Sequence, residues 1–362
     1  GSVGAEGRQA ARWRSLFVVT QVALAVVLTL GAALLVQSLL KIYDVGLGFD
    51  AESTLTVDLE VSTPWVSSEW PRTVAFFEGA LEEIKALPGV ASAAAAHHHP
   101  INPGWSTRFT VAGQEQPSPG LEPEASFRPV TLGFFETAGI QLLRGRVFDQ
   151  TTSSEGPGQV VVNQAFVDTY LEGGKALGER TVRDNWWISS IQDYEIIGVV
   201  ANTRFSGRHW PPQPAMYLPH RQDVPPVMTL LVRAGPGLDP LALVPSVREA
   251  IGRVDADMPL GQISTLEELV EQTVTTRRFV TWLLSAFALV TLALAALGLY
   301  GALAYATARR TRELRLRMAL GARAGHLRAM VLSQGLRLAT IGVALGLLGA
   351  LLTWRSPWES TM

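Results

Sequence analysis

Two long uncharged runs decide what this 362-residue chain can become. Residues 16–40 are 25 consecutive uncharged positions and residues 279–308 are 30. At about 1.5 Å per residue, either run as a helix exceeds the ~30 Å hydrocarbon core of a bilayer, so both read as transmembrane spans. A cleaved signal peptide does not fit the first run, because such peptides have only about 7–15 apolar residues and a small-residue cleavage site. A third run, residues 338–354, has 17 uncharged positions behind Arg337. That arginine must snorkel to the interface, since a charge at the bilayer centre costs about 2.5–3.5 kcal/mol. Three transmembrane helices are therefore expected.

Charge sets the sidedness. Between residues 41 and 278 there are 18 Lys and Arg against 29 Asp and Glu, whereas the rest of the chain has 12 against 3. An acidic middle without clustered cations excludes nucleic acid as its partner. The cationic remainder includes Arg8, Arg12 and Arg14 ahead of the first run, and the stretch 308–326, ARRTRELRLRMALGARAGH. There Arg309, Arg310, Arg312, Arg315, Arg317 and Arg323, with Arg328 just beyond, answer to the single acid Glu313. Short loops with that bias stay cytoplasmic. Leu314 with Met318, and Leu316 with Leu320, give the stretch a helical period, Thr307 or Thr311 is placed to cap it, and Gly321 to close it. On residue type alone this is an interfacial helix on anionic headgroups.

The middle region changes to strand and helix periods. A strand over 54–61 is followed by a helix with Val74, Phe77, Leu81, Ile84 and Leu87 on one face, stopped by Pro88-Gly89, and by a strand over 90–96. The same order returns as 228–232, 241–254 and 261–264, which suggests two βαβ units packed as a split, ferredoxin-like α+β layer. Strands at 107–111 and 125–130 and a short helix at 134–137 lie between them. A less regular insertion over 147–225 holds strands at 159–162 and 194–200 and a helix at 164–170. Its Pro-rich end, 211–225, reads as loop.

The stretch RTRELRLRMALGAR resembles the RTREIGIRMALGA signature of FtsX/MacB-type ABC transporter permeases. Arg310, Thr311, Arg312, Glu313, Arg317, Met318, Ala319, Leu320, Gly321 and Ala322 match, while Leu314 and Arg315 stand where the pattern has Ile and Gly. The motifs LPGV, GFFETAGIQLLRGRVF, VVVNQAFV and IIGVVANTRF extend the likeness to a MacB-like periplasmic core. The resemblance implies an α+β extracytoplasmic domain, a porter-like βαβ pair with an inserted β-rich lobe, on an α-helical membrane domain with four spans, one more than the three counted here. It further implies that Arg310, Arg312, Glu313, Arg317, Met318 and Gly321 couple the membrane to an ATPase by mechanotransmission. The expected partners are an ABC ATPase subunit, a second permease half or homodimer partner, the lipid bilayer and a periplasmic adaptor protein.

The expected division is a cytoplasmic segment 1–15, a span 16–40, the core domain 41–278, a span 279–306, a cytoplasmic coupling loop 307–326, a span 327–354 and a tail 355–362. The missing initiator Met and the absence of a fourth span suggest a fragment, such as the later half of a duplicated permease. Gly298 with Gly301, and Gly342 with Gly346, offer small surfaces for close helix packing. No G-x-x-x-x-G-K-[ST] loop is present, so the chain is not expected to be the ATPase, and no nucleophile motif is present either. Adjacent His97, His98 and His99 would diverge on a strand, so no metal or other cofactor is expected there. Glu82-Glu83 and Glu267-Glu268 read as solvated helix faces. The alternative reading is a membrane-anchored extracytoplasmic sensor or scaffold; a metal-dependent envelope enzyme is a third.

Overall fold

The computed structural model describes residues 3–355 except 45, 62–68, 115–117, 119, 155, 184–192, 209, 310 and 312–323. It divides into a helical unit, residues 1–41 with 275–362, and an α+β unit, Ile42–Val274.

Seven helices and eleven strands occur among the described residues. In chain order they are α1 (Val3–Asp44), β1 (Thr54–Glu60), α2 (Trp70–Lys85), β2 (Val90–Ala96), β3 (Trp105–Val111), β4 (Glu124–Val130) and α3 (Phe134–Thr137). Then come β5 (Leu142–Gly145), β6 (Gly158–Asn163), α4 (Gln164–Tyr170), β7 (Arg180–Arg183), β8 (Asp193–Val200) and β9 (Ala215–Pro219). The chain continues through β10 (Val227–Ala234), α5 (Val244–Val254), β11 (Leu260–Thr265), α6 (Leu266–Arg309) and α7 (Ala324–Arg355).

The α+β unit is built on one sheet in the order β11-β1-β10-β2-β4-β3-β7-β8-β6-β9, with β5 also on β8. Its first four strands come from the two βαβ units and lie in the order 4-1-3-2, which is the ferredoxin-like arrangement. Period-2 alternation explains how this part is filled. Leu55, Val57 and Leu59 of β1, Ala93 and Ala95 of β2, and Leu230 and Val232 of β10 meet Phe77, Leu81 and Ile84 of α2 and Val247 and Ile251 of α5. Pro71 in the first turn suits α2, where no backbone donor is needed. Gly89 ends the following turn at φ +88°, where a Cβ would stand 2.7 Å from Leu238 Cδ2.

Ala94, Ala96 and Leu231 face the other way, into a core with Val130, Phe134, Phe135, Phe148, Tyr217, Leu266 and Val270. This core joins the porter half to the β-rich lobe, although the sheet itself crosses between them at one residue pair, Ala96↔Val130. The lobe has its own core around Phe109, Phe127, Val160, Phe166, Tyr194, Ile196 and Met216.

Two expectations change here. The lobe is wider than 147–225, because β3 and β4 pair with β7 and β9 and so belong to it. The stretch 211–225 is not all loop: β9 is buried throughout and pairs in parallel with β4. Its prolines sit at the strand's borders, where a missing N–H costs little.

In the helical unit, Ser15–Lys41 of α1 and Arg278–Tyr305 of α6 are the two described helices long and apolar enough to cross a membrane. Gly335–Leu351 within α7 is a shorter apolar stretch.

Candidate functional site

The coupling positions Arg310, Arg312, Glu313, Arg317, Met318 and Gly321 lie outside the described residues. The structure describes what flanks them. α6 is one helix of 44 residues ending at Arg309, and α7 begins at Ala324. At its other end α6 starts inside the α+β unit, where Leu266, Val270 and Val274 are buried.

Within the helical unit, the glycines of α6 and α7 differ in what they touch. A Cβ at Gly342 would stand 2.7 Å from Val22 Cβ and 3.0 Å from the Val19 carbonyl oxygen. At Gly346 it would meet the Ala23 carbonyl oxygen at 2.7 Å and Val26 Cβ at 2.9 Å. The GxxxG spacing thus lies along α1 at backbone contact. Gly298 sits against the Gln21 side chain, whose Oε1 would be 2.6 Å from a Cβ, whereas Gly301 has nothing within 4 Å. Gly335 was not singled out by spacing, yet a Cβ there would stand 2.9 Å from Leu303 of α6.

The histidine triplet follows the end of β2, so strand alternation does not apply to it. Instead of diverging, the His97 and His98 rings stack, with centroids 4.1 Å apart and planes at 23°, and Trp105 meets His97 edge-on. Burial pushes His97 down to about 3, and His98 and His99 to about 4; for His97 and His98 neighbouring charge and for all three the Arg128 cation add to this. Neutral imidazoles therefore fill the site. Arg128 is buried itself, donates from Nε to Ser126 Oγ at 3.2 Å, also donates to the Asn102 carbonyl, and lies over the Phe205 ring. Among the described residues, no group of three or more His, Asp or Glu side chains is arranged to hold a metal.

Two further polar groupings escaped the sequence reading, because their members are far apart in the chain. Arg183 and Asp223 form a fully buried pair at 2.6 Å, with Tyr194 Oη 3.3 Å from the same carboxylate oxygen. Burial raises the Asp223 carboxyl, and Arg183 opposes that rise. At the lobe junction Arg221 Nε donates to Glu78 Oε1 of α2 at 2.6 Å. The same oxygen lies 3.1 Å from His220 Nε2, and Glu78 is held down to about 2, first by His220 and then by Arg221, against its partial burial.

Comparison with known proteins fits this architecture. Residues 15–250 match the MacB-like periplasmic core domain and residues 285–360 match the FtsX-like permease C-terminal domain. The chain is 24% identical over 237 residues to the macrolide export ATP-binding/permease protein MacB 1/2 of Paracoccus denitrificans (strain Pd 1222). That alignment covers 64% of this chain and 34% of the relative, so the chain spans about a third of that protein's length. Among solved structures, the periplasmic region of MacB from Actinobacillus actinomycetemcomitans is 13% identical, with 63% of this chain and 94% of that one covered and a TM-score of 0.41. The extracellular domain of the ABC-type transporter YknZ from Gram-positive bacteria is 13% identical over 56% of this chain and 93% of its own, with a TM-score of 0.35. With the core-domain match covering well over half of its residues and the permease match following in order, the chain belongs to the FtsX/MacB-type ABC transporter permeases.

Proposed function

We propose that this chain couples ATP hydrolysis by a separate ATPase to movement of its extracytoplasmic unit, as the permease subunit or half of an exporter. The observation that carries the reading is α6: one uninterrupted helix contains the buried residues Leu266 and Val270, then a membrane-length apolar stretch, and ends one residue before the cationic signature.

In this reading residues 310–323 meet the ATPase on the cytoplasmic side of the inner membrane, and α1, α6 and α7 supply three spans. The α+β unit lies outside, where a periplasmic adaptor and a second permease half or identical copy complete the assembly. Nucleotide-driven closure of the ATPase moves the segment containing Arg310, Arg312, Glu313, Arg317, Met318 and Gly321. The helices relay that motion to the outer lobes, so the substrate need not pass between them.

The test is co-purification with the ATPase encoded beside it, followed by ATPase assays in proteoliposomes. Glu313→Lys and Met318→Asp should leave membrane insertion and protease resistance of the α+β unit unchanged, because both positions lie in sequence outside that unit and outside the long uncharged runs. Both should weaken ATPase association and uncouple hydrolysis from output. Absence of ATPase binding to the full-length protein in every nucleotide state would sink the proposal.

A further inference from the structure

Trp13, Phe17 and Val18 of α1 share one groove with Gly301, Ala302 and Tyr305 of α6, and Gly298 of α6 lies against the Gln21 side chain of α1. Low numbers on α1 thus meet high numbers on α6. The two helices run antiparallel, and Trp13 and Tyr305 share the end of the groove nearest the arginines. The groove has a volume of about 490 Å³. Val18 is buried at its floor, Trp13, Phe17 and Tyr305 are exposed along it, and a Cβ at Gly301 would meet nothing within 4 Å. Gly335, Gly342 and Gly346 of α7 pack on Val19, Val22, Ala23 and Val26 of α1 and on Leu303 of α6, none of which lines the groove.

Charge gathers at one end of this groove. Arg12 and Arg14 bracket Trp13 in the sequence, and Arg309 follows Tyr305 by four residues, about one turn further along α6. Glu6 is the only acid in residues 1–40, and residues 279–312 contain none. Trp and Tyr rings favour the depth of the lipid headgroups. Along the groove the order is therefore cations, amphipathic rings, then an apolar slot.

We propose that this groove is a site for one anionic phospholipid, with its phosphate at the arginine end and an acyl chain laid along Phe17, Val18 and Gly301. A phospholipid offers the matching order: an anion, a polar linkage at headgroup depth and a hydrocarbon chain. A second protein helix fits less well. Close helix contact uses a face of small residues, and at Gly298 that face is already filled by Gln21. Such a helix would also have to bring an acid to the arginine end. The site rests on α1 and α6 lying in a bilayer and requires no ATPase, so it stands apart from the transport reading.

The experiment uses the full chain, purified in detergent and stripped of lipid. It is titrated with dioleoylphosphatidylglycerol or dioleoylphosphatidylethanolamine, which share acyl chains and differ in charge, and bound lipid is counted by native mass spectrometry. The first phosphatidylglycerol should bind about fivefold or more tightly than phosphatidylethanolamine, fivefold being what one arginine near an anionic surface contributes. Arg14→Gln should weaken phosphatidylglycerol about fivefold and leave phosphatidylethanolamine unchanged. Gly301→Leu, which fills the slot, should remove the first bound lipid of either kind. Where that variant fails to fold, Phe17→Ala decides, because the exposed ring is one wall of the slot and its removal should weaken both lipids. Equal affinity for the two lipids, or unchanged binding in folded Gly301→Leu or Phe17→Ala, overturns the site. So does a disulfide between copies of the otherwise cysteine-free Gly301→Cys chain, which would make the groove a contact between two copies.

Discussion

Gly342 of α7 lies so close to Val22 of α1 that a Cβ at position 342 would be 2.7 Å from the valine Cβ. Only glycine fits, because the Val19 carbonyl behind it is backbone and cannot swing away. Gly342→Leu and Gly346→Leu should therefore destabilise the helical unit by about 1–3 kcal/mol each, the range for overpacking. Gly301→Ala should cause no such loss, because a Cβ there would meet nothing within 4 Å. Thermal unfolding of the three purified variants in one detergent checks the contrast.

Asp223→Ala should cost about 3–5 kcal/mol, since it leaves the buried Arg183 charge without its carboxylate. Arg183→Leu with Asp223→Leu should recover part of the loss, as apolar replacements of buried ion pairs often do. Urea midpoints for the single and double variants give the coupling. Additive losses would show that the pair does not act as one element.

Acid should weaken the α+β unit in two stages. The triplet imidazoles are held well below their ordinary 6.5, so the unfolded chain binds more protons than the fold at intermediate pH. The stability they confer is complete above about pH 6.5 and declines as pH falls towards about 3. Glu78, lowered from 4.5 to about 2, adds a second decline that starts only below its ordinary value. Urea midpoints across this range should show the upper stage flattened when His97, His98 and His99 are all changed to Gln, with the lower stage retained.

Ser153, exposed on the lobe, offers a direct check of sidedness. A cysteine there should react with a membrane-impermeant maleimide in intact spheroplasts. One at Ser333 of α7 should react only after the membrane is opened. The reverse pattern would place the α+β unit in the cytoplasm and remove the basis for the exporter reading.

The parts of the fold that the sequence announced are those governed by local period. Leu55, Val57 and Leu59 alternate because one sheet face is covered by helices, and Phe77, Leu81 and Ile84 repeat because one helix face is. β5 gave no such signal: its four residues are all exposed. β9 was hidden by the prolines at its borders, because a strand buried on both faces has no alternation to detect. In the helical unit, glycine spacing marked Gly342 and Gly346, but nothing local distinguishes Gly301, where a Cβ would meet nothing within 4 Å, from Gly335, where it would meet Leu303. The junction was illegible for a different reason. Glu78 and Arg221 are 143 positions apart, and each taken alone is an ordinary surface charge.

The 4-1-3-2 strand order also sets the sequence of events on the ribosome. β1 and β2 emerge early but never touch each other, because β10 occupies the place between them. Until Val227 has been made, the first βαβ unit holds two strands with an open gap and one face of α2 half covered. The whole β-rich lobe is synthesised during that interval. Domains tend to fold as units during synthesis, and exposed strand edges invite mispairing. The lobe, contiguous from β3 to β9, is therefore the first part able to complete itself. The porter half closes around it last, just before α6 follows.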